Sequence, residues 1–243
     1  MIRRPPRSTL SSSSAASDVY KRQILDDANF EKSIRAGVDS CMSNTGQSCN
    51  APTRMLVPEA RKDDAYAIAK DAAEKVVAGD PKKDGTTIGP LVSDVQYEKV
   101  QNLIQKGIDE GAKLLIGGTG KPQGLEKGYY AKPTIFADVE NDMTISKEEI
   151  FGPVLSMITY KNIDDAVAIA NDTEYGLAAY VSGENKETLT SIARRLRAGQ
   201  IHINYGSAGP DAPFGGFKQS GNGREKAEWG LEEFLEVKAI MGT

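Results

Sequence analysis

The sequence is poor in cysteine and histidine, with two cysteines and one histidine among its 243 residues. Two cysteines are too few for a disulfide scaffold, and with a single histidine they give no metal-binding spacing. No apolar run approaches the roughly 20 residues that a membrane-spanning helix needs, and no secretory hydrophobic region is present. We therefore expect a cytoplasmic protein in a reducing compartment, with no metal ion and no membrane partner.

The chain also has neither a large net charge nor a phosphate-binding motif. The net charge of −4 gives no electrostatic reason to expect a nucleic-acid partner. Neither a GxGxxG motif nor a GxxxxGKS/T motif occurs, so a nucleotide would have to be held by other means. The hydrophobic content of 39% is that of an ordinary globular chain, and the chain is long enough to bury a substantial core.

Residues 1–23 differ in composition from the rest of the chain. They are rich in serine, arginine and proline, and they show neither a helical nor a strand period. Three interpretations compete: a disordered tail, a transit peptide with Asp18 as its single acid, and a non-native segment of the kind that vector or adapter DNA adds to a reading frame. We favour the non-native segment, because the chain after Gln23 starts inside a predicted strand, and we exclude residues 1–23 from the fold.

From Ile24 onward, strand and helix patterns alternate with short connections. Helices are predicted at residues 30–43, 63–78, 94–110, 164–171 and 187–198, and extended segments at 54–57, 112–116, 130–139, 154–160, 177–181, 200–205 and 234–241. This order predicts an α/β fold with a parallel sheet covered by helices. We assign residues 24–222 to one domain and residues 223–243 to a helix or turn and a terminal strand. That strand has few partners left in its own chain, so we expect it to pair with another subunit.

The two cysteines lie in different surroundings. Cys41 shares an apolar helical stripe with Ile34 and Val38, which predicts a packing role. Cys49 lies beyond that helix, after Gly46, and a glycine there allows a tight turn that brings backbone N–H groups towards the sulfur. We therefore interpret Cys49 as a nucleophile rather than as a buried thiol.

A thiol with a pKa of about 8.5 is only slightly ionised at neutral pH, so Cys49 needs an activating base. His202 is the only histidine, and it alternates with apolar Ile201 and Ile203 in a predicted strand. This pattern favours an ordinary sheet residue over a Cys–His dyad. A carboxylate, a water chain and a group outside this chain remain as candidates for the base.

Two further clusters contain candidate binding residues. In KEEIFGPV (residues 147–154), two acids precede an aromatic ring and a Gly-Pro turn. This cluster is either a solvated acidic helix end or a loop that presents a carboxylate to ribose hydroxyls. In APFGGFKQSGNGRE (residues 212–225), adjacent glycines beside aromatic rings suit close backbone packing around a pocket, with a plain long loop as the alternative.

Together with NTGQSCNAPTR (residues 44–54), and in this order, these clusters resemble the aldehyde dehydrogenase superfamily. The resemblance covers nearly all of the chain from Ile24 and is to the catalytic and C-terminal half of a nicotinamide-dependent enzyme. It implies that residues 24–222 are the catalytic domain. It also implies NAD as the cofactor, with NADP as the alternative, a small-molecule aldehyde as the substrate, and a homodimer or homotetramer in the intact parent.

The resemblance also implies a role for each matching residue. Cys49 is the nucleophile, and its backbone N–H helps to hold the oxyanion. Glu149 binds the nicotinamide ribose, Phe151 lines the nicotinamide site, and Phe214 forms a wall of the aldehyde tunnel. The structural positions near the site are Gly46, Gln47, Asn204, Gly215 and Gly216.

The sequence also departs from the family pattern. The family's dinucleotide-binding half, the side-chain amide of its oxyanion hole and its Glu-Leu-Gly-Gly-Lys motif with the general base have no counterpart before Ile24. Losing one oxyanion donor alone costs about 10²–10³ in rate, so we expect the chain alone to be inactive. The alternatives are a non-catalytic module that joins intact subunits through its terminal strand, and part of a CoA-dependent acylating enzyme.

Overall fold

Strands and helices alternate along the chain, as the sequence predicts. The structure, a computed structural model, describes residues 21–242, so the interpretations of residues 1–20 lie outside the described residues. The strands are β1 (Lys21–Ile24), β2 (Arg54–Pro58), β3 (Lys113–Ile116), β4 (Thr134–Ala137), β5 (Val154–Tyr160), β6 (Ala178–Ser182) and β7 (Gln200–Ile203). The helices are α1 (Phe30–Met42), α2 (Lys62–Glu74), α3 (Asp94–Asp109), α4 (Thr144–Lys147), α5 (Ile163–Asn171), α6 (Lys186–Arg195) and α7 (Ala227–Glu232).

The seven strands form one sheet in the order β3-β4-β5-β2-β1-β6-β7. Neighbouring strands are parallel throughout, except that the edge strand β3 runs antiparallel to β4. Parallel neighbours need a crossover connection, and α1 supplies it between β1 and β2 while α6 supplies it between β6 and β7. The predicted α/β fold with a mostly parallel sheet is confirmed.

Side-chain caps fix the starts of four helices, α1, α3, α5 and α6. Asn29 begins α1 and Ser93 begins α3, and in each case the side-chain oxygen accepts the backbone N–H three residues later. Helix α2 ends at Glu74, four residues before the predicted Ala78. The reason is that Ala78 pairs with Ile88 in a parallel bridge, which takes the chain away from the helix axis.

Both faces of the sheet are buried. Met55 and Leu56 are fully buried neighbours on β2, and they point to opposite faces because strand side chains alternate. Met55 packs in a cluster with Ile34 of α1 and Ala69 of α2, whereas Leu56 belongs to the cluster on the other face, with α3, α5 and α6. Full burial of each such side chain contributes about 1.5–3 kcal/mol, which explains the continuous apolar run in this central strand.

The fold begins at Lys21, in strand β1, and not at Ile24 as the sequence predicts. The sequence interpretation assigned residues 21–23 to the non-native segment, yet they pair in parallel with β2 on one side and with β6 on the other. Lys21, Arg22 and Gln23 are 1%, 2% and 0% exposed. Their polar side chains give no apolar strand pattern, and main-chain pairing on both sides places them in the centre of the sheet.

The predicted terminal strand is absent from the described part of the chain. Residues 233–242, which follow α7, form neither helix nor strand. Phe234, Val237 and Ile240 are 78%, 101% and 87% exposed. A strand needs a neighbour to bind its N–H and C=O groups, and within residues 21–242 no strand lies beside this segment. The terminal segment is therefore not a strand in the single chain, and its pairing with another subunit stays a prediction.

Candidate active site

Cys49 lies on the loop that joins α1 to β2. Residues 44–46 all have left-handed backbone angles, with φ of 51°, 59° and 70°, and they reverse the chain after the helix. A turn then follows, in which the N–H of Ala51 donates to the carbonyl of Ser48 at 3.0 Å. This turn holds Cys49 half-buried at the amino end of β2.

Cys41 is the buried cysteine, as predicted. It is 0% exposed on α1, and its Sγ donates to the carbonyl of Val154 at 3.5 Å. Burial raises the pKa of the Cys41 thiol to about 12, so this thiol stays protonated at neutral pH. Of the two cysteines, only Cys49 is placed to react with a solute.

Gly46 and Gln47 hold the Cys49 loop against its surroundings. A Cβ atom added to Gly46 would lie 2.0 Å from the carbonyl oxygen of Gly152, so only glycine permits this approach. The side chain of Gln47 accepts the N–H of Val92 at 2.8 Å and donates to the carbonyl of Pro90 at 3.3 Å. Both residues therefore support the loop that bears Cys49.

Glu149 and Phe151 lie on the turn between α4 and β5, and the Gly46–Gly152 contact puts this turn against the Cys49 loop. Both residues are half-buried, and Phe151 has a left-handed φ of 54°. Gln96 of α3 donates from Nε2 to the carbonyls of Ile150 and Phe151, at 3.0 and 2.9 Å. Gln96 is about 55 residues from this turn in the sequence, so no local pattern indicates that it supports the turn.

Phe214 lies close to Cys49. Leu177 and Ala178 are buried at the start of β6, and Cys49, Tyr180 and Phe214 pack against them in one small cluster. The cluster lies at the amino ends of β2 and β6, which share an edge of the sheet. The structure thus brings together the two residues that the sequence proposes as nucleophile and substrate wall.

The Gly215-Gly216 pair lets the chain after Phe214 fold tightly. A Cβ atom added to Gly215 would lie 2.2 Å from the carbonyl oxygen of Gly223, and one added to Gly216 would lie 2.5 Å from Cβ of Ser220. A groove of about 590 Å³ adjoins this turn, with Phe214 and Leu177 on one side and α7 on the other.

Asn204 lies at the opposite ends of the strands from Cys49. It follows the carboxyl end of β7, where its side chain accepts the N–H of Gly183 at 3.0 Å and donates to the carbonyl of Gly183 at 2.7 Å. At about 3.3 Å per strand residue, Gly183 is about 16 Å along β6 from Ala178. Asn204 thus lies at the carboxyl ends of β6 and β7, whereas the Cys49 cluster lies at the amino ends of β2 and β6, and the role of Asn204 near the site stays a prediction.

His202 is a sheet residue, as its pattern predicts. It is half-buried on β7, and its Nδ1 donates to the carbonyl of Gly206 at 2.7 Å. Its ring stacks on that of Tyr180, with centroids 4.8 Å apart. The histidine thus contacts a residue of the Cys49 cluster rather than forming a dyad with the thiol.

A buried polar network supports the strand that follows Cys49. Arg54 is 0% exposed, and its Nη2 donates to Oδ1 of Asn141 at 2.7 Å and to the carbonyl of Ile169 at 3.1 Å. The Asn141 amide donates to Asp172, which also pairs with Lys147 at the end of α4. The network links β2 to the helix before Glu149, and no sequence signal indicated it, because its members are distant in the chain.

The Asp172 carboxylate gives this network a pH dependence. The hydrogen bond from Lys147 is the main cause that lowers the pKa of Asp172 in the folded chain. A lowered pKa in the folded chain stabilises the fold above the unfolded pKa of about 3.9, and this stability is lost as the pH falls through the folded pKa.

We expect Asp172→Asn to lower the free energy of unfolding at neutral pH by less than about 1 kcal/mol, since the pair is partly exposed, and to have a smaller effect near pH 3. Urea unfolding at both pH values measures this, with exposed Asp211→Asn as the control.

Residues 21–242 contain neither a metal-ligand cluster nor a membrane-spanning helix. No cluster of three or more His, Cys, Asp or Glu side chains within them is arranged to hold a metal ion. No helix in that range has the length and apolar character needed to cross a membrane.

The sequence model of the aldehyde dehydrogenase family matches residues 21–240. The chain belongs to the aldehyde dehydrogenase family. The match begins at Lys21, where β1 begins, and it includes the Cys49 loop, the Glu149 turn and the Phe214 turn.

Solved aldehyde dehydrogenases superpose closely on the chain. The cysteine-to-alanine variant of aldehyde dehydrogenase C from Pseudomonas syringae, in complex with NAD+ and octanal, is 50% identical with a TM-score of 0.90, over 92% of this chain and 46% of that one. The Mycobacterium tuberculosis aldehyde dehydrogenase in complex with NAD+ is 42% identical with a TM-score of 0.87, over 90% of this chain and 45% of that one. A curated relative from Staphylococcus haemolyticus is 54% identical over 219 residues, which is 90% of this chain and 46% of the relative. The chain thus spans about half the length of the relatives it matches.

Proposed function

We propose that this chain is the thiol-bearing part of an enzyme that oxidises an aldehyde to a carboxylic acid with NAD+. The observation that carries the proposal is the position of Cys49, half-buried between the Phe214 cluster and the turn that bears Glu149. The Pseudomonas syringae neighbour, in which a cysteine is replaced by alanine, holds both NAD+ and an aldehyde, which supports a thiol as the reacting group.

The chemistry on the thiol follows from the reactivity of a thiolate. The Cys49 sulfur attacks the aldehyde carbon, a C–S bond forms, and the carbonyl oxygen becomes an oxyanion that the Cys49 backbone N–H helps to hold. The bound nicotinamide supplies the acceptor for the hydride that leaves this thiohemiacetal. A thioester remains on Cys49, and water cleaves it to release the carboxylic acid and the thiol.

Residues of this chain fit one end of the cofactor. The half-buried Glu149 is next to the loop that bears the thiol, and a carboxylate there can accept hydrogen bonds from the hydroxyls of a ribose. Phe151 presents an aromatic ring on the same turn. We therefore assign Glu149 to the nicotinamide ribose and Phe151 to the wall of the nicotinamide site, and we choose NAD+ because the solved neighbours bind it.

The substrate assignment is an apolar aldehyde. Phe214 and Leu177 line both the Cys49 cluster and the groove of about 590 Å³ beside it. Apolar walls favour a hydrocarbon chain over a charged one. The aldehyde carbon is then at Cys49 and its chain extends past Phe214.

The exposed apolar tail supports a second role, in subunit association. Val237 and Ile240 are 101% and 87% exposed at the end of the chain, and an apolar segment of this kind can add as a strand to the sheet of another subunit. We propose that the intact enzyme is a homodimer or homotetramer joined in this way. Size-exclusion chromatography of the chain, with Val237→Asp as the comparison, tests this: a monomer in both cases contradicts it.

Alkylation of the two thiols tests the function itself. We expect iodoacetamide to label Cys49 at least about tenfold faster than Cys41 at neutral pH, because the Cys41 thiol is buried and protonated. Octanal, which adds to a thiolate, should slow the labelling of Cys49, whereas octanol should not. Mass spectrometry of the two cysteine peptides measures both effects.

A Cys49 thiol that resists alkylation, or one that octanal leaves unprotected, contradicts the proposed function. Labelling does not need a complete cofactor site, so this test is independent of turnover. The prediction that the chain alone produces no NADH from an aldehyde stays a prediction, and a steady-state assay with octanal and NAD+ measures it.

A further inference from the structure

Tyr180 is in the centre of a polar row on the sheet surface. Its neighbours in register are Arg22 on β1 and His202 on β7. Side chains that are paired in register on adjacent strands lie side by side on one face of the sheet. A phenol, a guanidinium and an imidazole therefore share a face that begins beside the Cys49 loop.

Both neighbours restrain the Tyr180 ring. The His202 ring stacks on it at 4.8 Å between centroids with an interplanar angle of 21°, and Cζ of Arg22 lies 5.5 Å from its centroid. The His202 ring is itself held by its hydrogen bond to Gly206. Stacking and cation–π contacts of this kind fix the plane of the ring. The hydroxyl group therefore keeps one direction, towards the Cys49 loop.

The hydroxyl group of Tyr180 reaches that loop. It donates to the carbonyl of Asn50 at 3.4 Å, one residue after the nucleophile. Tyr180 and Cys49 also pack against the same two buried residues, Leu177 and Ala178. A hydrogen bond of 3.4 Å is long and weak, so the O–H group can turn towards a charged sulfur at little loss.

We propose that Tyr180 is a positioning residue for the Cys49 thiolate, whose neutral hydroxyl group orients the loop and supplies a dipole beside the sulfur. The proposal rests on the proposed function in one respect, namely that Cys49 is the nucleophile. It assigns a role to a strand residue that none of the three sequence clusters contains.

The electrostatics of the row support this role. Burial is the main cause that raises the pKa of Tyr180, Arg22 opposes that shift, and Cys49 adds to it. The phenol therefore stays neutral across the range in which a thiol ionises, and a neutral hydroxyl group stabilises an adjacent anion. Charged or titratable side chains that face this cluster are Arg22, His202 and Lys226, which lies 5.6 Å from the centroid of Phe214.

The test compares two phenols that both lie next to Arg22. Tyr180→Phe removes the hydroxyl group near Cys49 and keeps the ring. Tyr205→Phe is the matched control, because Tyr205 is 5.4 Å from the Arg22 guanidinium but its hydroxyl group binds Ser33 at 2.8 Å. The rate of Cys49 alkylation by iodoacetamide is measured against pH for the wild-type chain and both variants.

We expect Tyr180→Phe to raise the pH midpoint of Cys49 alkylation by about 0.5 units or more, since the thiolate loses a stabilising dipole, and Tyr205→Phe to leave it unchanged. The Arg22, His202 and Lys226 charges are common to all three chains, so they cancel in the comparison. Cys41 labelling serves as the folding control, because it rises only if the core opens.

The outcomes separate this inference from the function on which it rests. If Cys49 of the wild-type chain does not react, the proposed function fails. If it reacts with the same midpoint in the wild-type chain and in Tyr180→Phe, only the role of Tyr180 fails. An equal shift in both variants also overturns the inference, because it would show a general effect on the sheet surface.

Discussion

Replacing Gly46 by alanine is expected to lower the free energy of unfolding by at least about 1–3 kcal/mol and to reduce Cys49 alkylation severely. The backbone at Gly46 has φ of 70°, and a non-glycine residue in that region costs about 1–3 kcal/mol. In addition, the new Cβ atom would lie 2.0 Å from the carbonyl oxygen of Gly152. The loop that bears Cys49 must then move away from the turn that bears Glu149.

The matched control is Gly85→Ala. Gly85 has a similar φ of 83°, but a Cβ atom added there has nothing within 4 Å. Its variant therefore measures the backbone penalty alone, and the difference between the two variants measures the contact between the Cys49 loop and Gly152. Urea unfolding gives the free energies, and iodoacetamide labelling gives the reactivity of Cys49.

Equal losses of stability in Gly46→Ala and Gly85→Ala, together with unchanged Cys49 labelling, would contradict this account of the loop. A selective loss of Cys49 labelling would instead show that the close approach of two backbone segments places the nucleophile. That outcome would explain why this chain has a glycine three residues before Cys49.

Much of the fold was predictable because its elements carry strong local signals. The apolar run of β5 gave both ends of that strand correctly, and the stripe that contains Ile34 and Cys41 gave α1 to within one residue. Local signals also separated the two cysteines, since one is on the stripe and the other is beyond it. These predictions depend on residues that are close in the sequence, where periodicity and capping decide the structure.

The missed features depend on contacts between distant residues. Residues 21–23 are excluded from the predicted fold because residues 1–23 are rich in serine, arginine and proline and show no strand period, whereas pairing with β2 and β6 determines the conformation of β1. The family resemblance places Asn204 near the site, whereas in the structure it follows the carboxyl end of β7 and bonds Gly183. The terminal segment is predicted to form a strand only by pairing with another subunit, and within residues 21–242 it has no neighbouring strand.

The candidate site likewise contains residues that local sequence motifs predict and residues that only distant contacts bring to it. The sequence motifs that contain Cys49, Glu149 and Phe214 identify these three residues. In the structure, the segments with Glu149 and Phe214 each lie against the Cys49 loop. Gln96 and Tyr180 were not found, because each acts on the site from a separate element through one side chain. A single sequence contains no signal for such a contact, and only the folded arrangement reveals it.

Arg54→Met is expected to lower the free energy of unfolding by about 2–4 kcal/mol. Arg54 is fully buried, and its guanidinium donates to Oδ1 of Asn141 and to the carbonyl of Ile169. Methionine retains most of the volume but leaves both acceptors without this donor, at about 1–3 kcal/mol for each buried group. The loss should appear as a lower urea midpoint with an unchanged slope.

Arg22→Met is the informative comparison, because it is expected to raise the free energy of unfolding by about 1–2 kcal/mol. Arg22 is 2% exposed and its Nε is buried without a hydrogen-bond partner. Burial is the main cause that lowers its pKa, and a side-chain hydrogen bond with Tyr205 opposes that shift. Replacing a buried charge with an apolar side chain of similar volume is often stabilising by 1–4 kcal/mol, and the loss of contacts with two tyrosine rings offsets part of that gain. Two buried arginines on neighbouring strands thus have opposite expected effects, because the Arg54 guanidinium bonds the side chain of Asn141 and the carbonyl of Ile169, whereas the Arg22 guanidinium faces two tyrosine rings. If both variants were destabilised equally, side-chain volume rather than polar satisfaction would control the stability of the central sheet.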